Sequence, residues 1–206
     1  MSLVTVDGVT LEAETNLASE ERARAVLCHP HPLHGGTMQS LVISELFRAL
    51  PAAGLSCLRF NFRGVGASTG THDGGEGERL DVRAALEAFA PSTPSPLILL
   101  GWSFGADVVL SVCEPGIAGW IAVAPPLRFG RGATSVAQDP RPKLVLLAEH
   151  DEVRDATVVA AETAKWVNGT TATIPGASHF FVGRTDRLAE LTLAWIDRLL
   201  TQPDSS

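Results

Sequence analysis

Cysteine is scarce in this chain, and its count is odd: Cys28, Cys57 and Cys113 are three in 206 residues. Each falls in an apolar stretch, so they read as buried free thiols and exclude the disulfide framework of a small secreted domain. Charge is sparse too. Charged residues make up 19% against 45% hydrophobic, which excludes a disordered, fully solvated chain. What charge there is sums to −7 and argues against nucleic acid or an anionic membrane as a partner. No uninterrupted apolar run approaches the roughly 20 residues of a membrane span. Residues 1–14 lack a basic segment followed by an apolar one, so no signal peptide is expected. The expectation is a cytoplasmic globular protein with one domain over 1–206 and a frayed tail at 202–206.

What is present is a regular alternation. Residues 3–6 and 9–13 flank Asp7-Gly8, a hairpin signal. Buried-strand runs are expected at 24–29, 55–62, 96–100, 119–124 and 143–148, with a short last strand at 171–174. Helical spacing falls at 40–50, 79–90, 106–113, 156–167 and 186–200, with Pro51, Gly54 and Pro91 as stops. Buried strands alternating with helices predict an α/β fold: a mostly parallel twisted sheet of about 7–8 strands covered on both faces. Residues 125–142 hold four prolines and little helical pattern, so no lid able to bury a lipid chain is expected there. The glycine-rich loop 69–78 reads as mobile and near the site mouth. No lysine follows its glycines, so it is not a P-loop.

The chemistry centres on Gly101-Trp102-Ser103-Phe104-Gly105, set between a strand and a helix. Alone, a G-x-S-x-G marks only a glycine-rich turn with an exposed serine. Between those elements it reads as a nucleophile elbow, in which a cramped backbone pushes the serine hydroxyl above the sheet and bulk two positions either side would collide. A serine needs a base, and the base needs an orienting carboxylate. His179 lies late in the chain just past a strand, unlike His29, His31, His34, His72 and His150. Asp151 follows the strand at 143–148, in competition with Glu149, Glu152 and Asp155. Both lie beyond strand carboxyl ends, where open α/β sheets bind ligands.

Acyl transfer also needs donors for a developing oxyanion. The amide of Phe104 is one. The other is sought in His29-Pro30-His31-Pro32-Leu33-His34-Gly35-Gly36, where the prolines have no N–H and His31 or Leu33 remains. Metal binding by His29, His31 and His34 is the alternative for this stretch, but rigid prolines between the histidines make a poor chelate; no metal or cofactor is expected. Phe104, Trp102, Leu33, Phe129 and Phe180 are candidates for an apolar wall, with core packing as the other explanation for at least half of them. Arg63 and Arg128 could hold a substrate carboxylate, Arg63 against the alternative of a salt bridge within the fold.

The segments His29-Pro30-His31-Pro32 with Gly35-Gly36-Thr37-Met38, Asn61-Phe62-Arg63-Gly64-Val65-Gly66-Ala67-Ser68, and Gly101-Trp102-Ser103-Phe104-Gly105-Ala106 together resemble the α/β-hydrolase superfamily. The likeness is to small lidless bacterial serine hydrolases related to dienelactone hydrolases, and it spans roughly residues 20–200. It implies the fold and a Ser103–His179–Asp151 triad. Serine at 103 departs from the cysteine of true dienelactone hydrolases, which puts dienelactone turnover in doubt. The expected function is hydrolysis of esters of small soluble substrates through an acyl-enzyme, without nucleic-acid or membrane partner. Acyltransfer, thioester cleavage or perhydrolysis at the same serine is the alternative, as is a non-catalytic binding module.

Overall fold

Asp7-Gly8 does close a hairpin: the Gly8 amide donates to the Thr5 carbonyl at 2.9 Å, and β1 (Ser2–Val4) pairs antiparallel with β2 (Thr10–Asn16). The structure, a computed structural model, describes residues 1–91, 95–128 and 133–201, the side chains of residues 133 and 134 excepted. Beyond the hairpin the chain alternates. In order come β3 (Ala23–Cys28), α1 (Leu41–Ala49), β4 (Leu55–Phe60), α2 (Glu78–Ala88) and β5 (Leu97–Trp102). Then follow α3 (Phe104–Val109), β6 (Ile117–Val123), α4 (Ala133–Gln138), β7 (Lys143–His150), α5 (Ala156–Thr163), β8 (Gly169–Ser178) and α6 (Thr185–Thr201).

The eight strands form one sheet in the order β1-β2-β4-β3-β5-β6-β7-β8, parallel from β4 to β8. Parallel strands buried on both faces alternate their side chains between two cores. Leu97 and Leu99 of β5 join the core that includes Val82, Ala85 and Val108 of α2 and α3. Ile98, Leu100 and Trp102 join the one that includes Leu46, Leu188 and Ile196 of α1 and α6. The expected mostly parallel α/β sheet, helices on both faces, is therefore the observed one.

Four details differ from the sequence reading. Helix α3 starts at Phe104 and stops at Val109; beyond it the chain tightens, Ser111 and Val112 donating to the carbonyls three residues back at 3.0 and 3.1 Å. Cys113, just past that turn, is exposed, its thiol between Asp139 and Arg141, whereas Cys28 and Cys57 are buried. Strand β8 runs ten residues, through Pro175. It tolerates the proline because it is an edge strand, with β7 as its one neighbour. Between β6 and β7 the described residues include the six-residue α4, a helix the pattern did not suggest but too short for a cap. Among the described residues no helix is long and apolar enough to cross a membrane. The expected fraying at 202–206, and Phe129 as a wall residue, lie outside the described residues.

Candidate active site

The spacing of the two glycines around Ser103 follows from backbone contact. A Cβ on Gly101 would lie 2.2 Å from the Gly105 carbonyl oxygen, and one on Gly105 would lie 2.3 Å from that of Cys28. Either would force backbone apart. Ser103 itself sits at φ 55°, ψ −120°, a region that costs a non-glycine residue on the order of 1–3 kcal/mol. Its amide, donating to the Val123 carbonyl at 2.8 Å, ties the turn to β6.

His179 is aimed by a bulge. On β7 the single residue Glu149 faces Pro175, Gly176 and Ala177 of β8, since pairing steps from Ala148–Ile174 to His150–Ser178. Gly176 takes φ 66° and donates its amide to Glu149 Oε2 at 2.7 Å. Bulges of this kind re-aim the side chains that follow them. The Trp102 indole donates to the His179 carbonyl at 3.2 Å, and the His179 amide donates to Glu152 Oε2 at 3.0 Å. That amide holds the Glu152 carboxyl below its ordinary range.

Three side chains from three strand ends then form one hydrogen-bonded chain. The Ser103 hydroxyl donates to His179 Nε2 at 2.8 Å, and His179 Nδ1–H donates to Asp151 at 2.8 Å (Oδ2) and 3.0 Å (Oδ1). With its proton held at Nδ1 by the carboxylate, the imidazole presents a lone pair to the serine. Asp151 is held in turn by the amides of Val153 at 2.8 Å and Arg154 at 3.1 Å. Its sequence rivals have other partners: Glu149 meets Gly176, Glu152 the His179 backbone, and Asp155 caps α5 through the Thr157 amide at 2.8 Å. The histidine and aspartate side chains are both 6% exposed, so their charge develops largely out of water.

A hollow of about 720 Å³ opens over the serine. His31, Trp102, Phe104 and Phe180 line it with Ser103 and His179. Leu33 does not; it is 72% exposed, and its amide donates to His31 Nδ1 at 3.2 Å. His29 is fully buried, accepting from the Phe62 amide at Nε2 (3.0 Å) and donating from Nδ1 to the Pro30 carbonyl (2.6 Å). Both ring nitrogens are used, and burial lowers its pKa to about 4. Burial, then the neighbouring His72 and His34, lowers that of His31. A second hollow, of about 880 Å³, lies at the amino ends of β5 and β6, far from this chemistry.

Arg63 proves structural. Its guanidinium donates to buried Asp81 at 2.7 and 2.9 Å and to Asp7 at 3.0 Å, joining α2 to the hairpin. The loop before α2 is pinned, contrary to its glycine content: buried Glu78 accepts from Gly75 N at 2.8 Å, Asp73 N at 3.0 Å and His72 Nδ1 at 2.7 Å. His72 thereby packs edge-on to Phe104, ring centroids 5.2 Å apart. Sequence reasoning also missed Asp107, 2% exposed, which accepts the amides of Leu127 and Arg128, each at 2.8 Å. A lone carboxylate in the otherwise apolar Phe104–Val109 helix was the available signal.

An eight-stranded, mostly parallel sheet with helices on both faces defines the α/β-hydrolase fold. The family model described as serine aminopeptidase, S33, matches residues 21–141, and the chain belongs to that family of α/β hydrolases. A protein of Rickettsia prowazekii is 32% identical over 189 residues, 86% of this chain and 78% of its own. An α/β serine hydrolase homologue from Coxiella burnetii superposes with a TM-score of 0.84 at 36% identity, over 95% of this chain and 96% of that one. XC6422 of Xanthomonas campestris, described as an α/β serine hydrolase without a lid, gives 0.87 at 32% identity, over 98% and 95%.

Proposed function

We propose that this hydrolase cleaves esters through an acyl-enzyme on Ser103. The observation that carries the reading is the continuous Ser103–His179–Asp151 hydrogen bonding, at 2.8 Å on each side of the imidazole. His179 takes the hydroxyl proton as Ser103 Oγ attacks the ester carbonyl. The amides of Phe104 and His31 then meet the oxyanion, both residues lining the hollow whereas Leu33 does not. Collapse expels the alcohol, which leaves with the proton from His179. The same base activates water to release the acid, while Asp151 steadies the imidazolium. Hydrolysis at an amino-terminal residue is favoured less: among the described residues the hollow's lining has no Asp or Glu to meet a substrate ammonium.

Labelling with a fluorophosphonate, followed by mapping of the adduct, tests this directly. The expected adduct is on Ser103 and disappears in His179→Ala. Ser103→Ala is expected to lower kcat for a short-chain aryl ester by about 10⁶. A folded protein that takes no label and turns over no ester would instead be a binding module on this fold.

A further inference from the structure

The hollow over Ser103 is electrostatically unlike the rest of the molecule. The chain carries 23 acidic residues against 16 basic ones, yet the described lining holds Arg128, His31 and His34 and no carboxylate. Carboxylates nearby are engaged elsewhere: Asp151 on His179, Glu152 on the His179 amide, Asp107 on the amides of Leu127 and Arg128. Arg128 is the one arginine or lysine among the described residues of the lining, and so its fixed positive charge.

The segment carrying Arg128 is held in place with unusual care. Ala124 and Leu127 take positive φ, 45° and 54°, though neither is glycine. Such strain persists only where surrounding contacts enforce it, and it gathers at functional sites. Here buried Asp107 grips the Leu127 and Arg128 amides from below, and Arg154 bonds the carbonyls of Pro126 and Leu127 from the side. The Arg128 guanidinium makes one hydrogen bond among the described residues, from Nη2 to the Val153 carbonyl at 2.9 Å. Val153, Pro126 and Arg128 all line the hollow, so this bond fixes the fork at its wall. A guanidinium has five donors in a plane that matches a carboxylate.

From these observations we infer that Arg128 selects esters whose acyl chain ends in a carboxylate, a deepening of the serine-esterase reading above. The half-esters of dicarboxylic acids are the substrate class. Their neutral chain crosses the apolar surface of Trp102, Phe180 and Val182, and the distal anion meets Arg128.

The test compares kcat/KM for monoethyl adipate and ethyl hexanoate, which share a six-carbon acyl chain, by chromatographic release of ethanol. The wild type is expected to prefer the half-ester. Arg128→Gln should lower the ratio about 10- to 100-fold, mainly through KM, as expected for charge-assisted hydrogen bonds. Arg128→Lys, which keeps the charge and loses the fork, should fall between, and 1 M salt should erode the preference. A ratio that Arg128→Gln leaves unchanged, or a wild type that prefers the neutral ester, overturns the inference. Calorimetric titration of monoethyl adipate into Ser103→Ala separates binding from reaction. Binding that disappears with Arg128→Gln upholds the anion site even if neither ester is turned over. No binding, or binding indifferent to position 128, overturns it. Fluorophosphonate labelling of the wild type independently judges the serine.

Discussion

Single residues here carry steric demands that can be read as numbers. At 2.3 Å from the Cys28 carbonyl, a methyl group on Gly105 has nowhere to go. Gly105→Ala is expected to cost at least about 3 kcal/mol, or about 6–12 °C in Tm for a chain of this size, measurable by thermal unfolding. Position 103 differs, since Ser103→Ala removes only a hydroxyl and should leave Tm nearly unchanged while abolishing turnover. The carboxylates separate just as clearly. Asp151→Asn is expected to cost about 10⁴ in kcat, because the amide no longer enforces the tautomer that the serine needs. Glu149→Gln, at a carboxylate that accepts from the Gly176 amide and lies 3.5 Å from His150 Nε2 rather than against His179, should cost far less; a loss equal to that of Asp151→Asn in steady-state assays would reverse the assignment. Ser103, Asp151 and His179 were legible because each follows a recognisable strand. Asp107 was not, since its role depends on a loop whose path the sequence pattern does not reveal; Arg128 was a candidate for a substrate carboxylate by residue type alone, without its place in the hollow.

Among the elements, the hydrophobic runs announced themselves and the ends did not. Strand β5 and the turn after it were visible because apolar residues stop at a glycine pair with one steric solution. The sequence pattern ends the last strand at 174, since Pro175 and Gly176 look like a loop, whereas the bulge opposite Glu149 absorbs both into β8. Helix α2 begins at Glu78 because that carboxylate is buried beneath its own preceding loop. The glycines of 69–78 suggested a mobile segment, and no pattern could show that three donors converge on one acid. Arg63 ties these elements together through Asp81, which is fully buried. Asp81→Ala leaves an arginine with half its partners in a dry site, so a loss of about 3–5 kcal/mol is expected, read from the urea midpoint. Its effect on ester turnover per folded molecule should be small.

At the scale of the whole molecule, pH couples to folding through buried His29. Its pKa is lowered by burial to about 4 in the folded chain from the ordinary 6.5, so the unfolded state binds the proton more readily. Stability from this group is therefore complete above pH 6.5 and is lost as pH falls toward 4, amounting to about 3 kcal/mol. His31, lowered in the same direction, adds with the same sign. Urea unfolding at pH 7 and pH 4.5 should show the loss, and imidazole NMR should find His29 still neutral at pH 5. A ring that titrates near 6.5 in the folded protein would contradict the burial argument.

Because the Gly105 backbone lies against the carbonyls of Cys28 and His29, the serine turn and the start of the His31 loop form one block. The wall beyond it is built differently: Phe180 and Val182 are 57% and 74% exposed, and Phe180 only leans edge-on against the rings of Trp102 and His179. Genetic drift can therefore remodel what the hollow accepts, one rim residue at a time, without displacing the reacting atoms. Descendants of such a chain are expected to diverge in diet long before they diverge in chemistry.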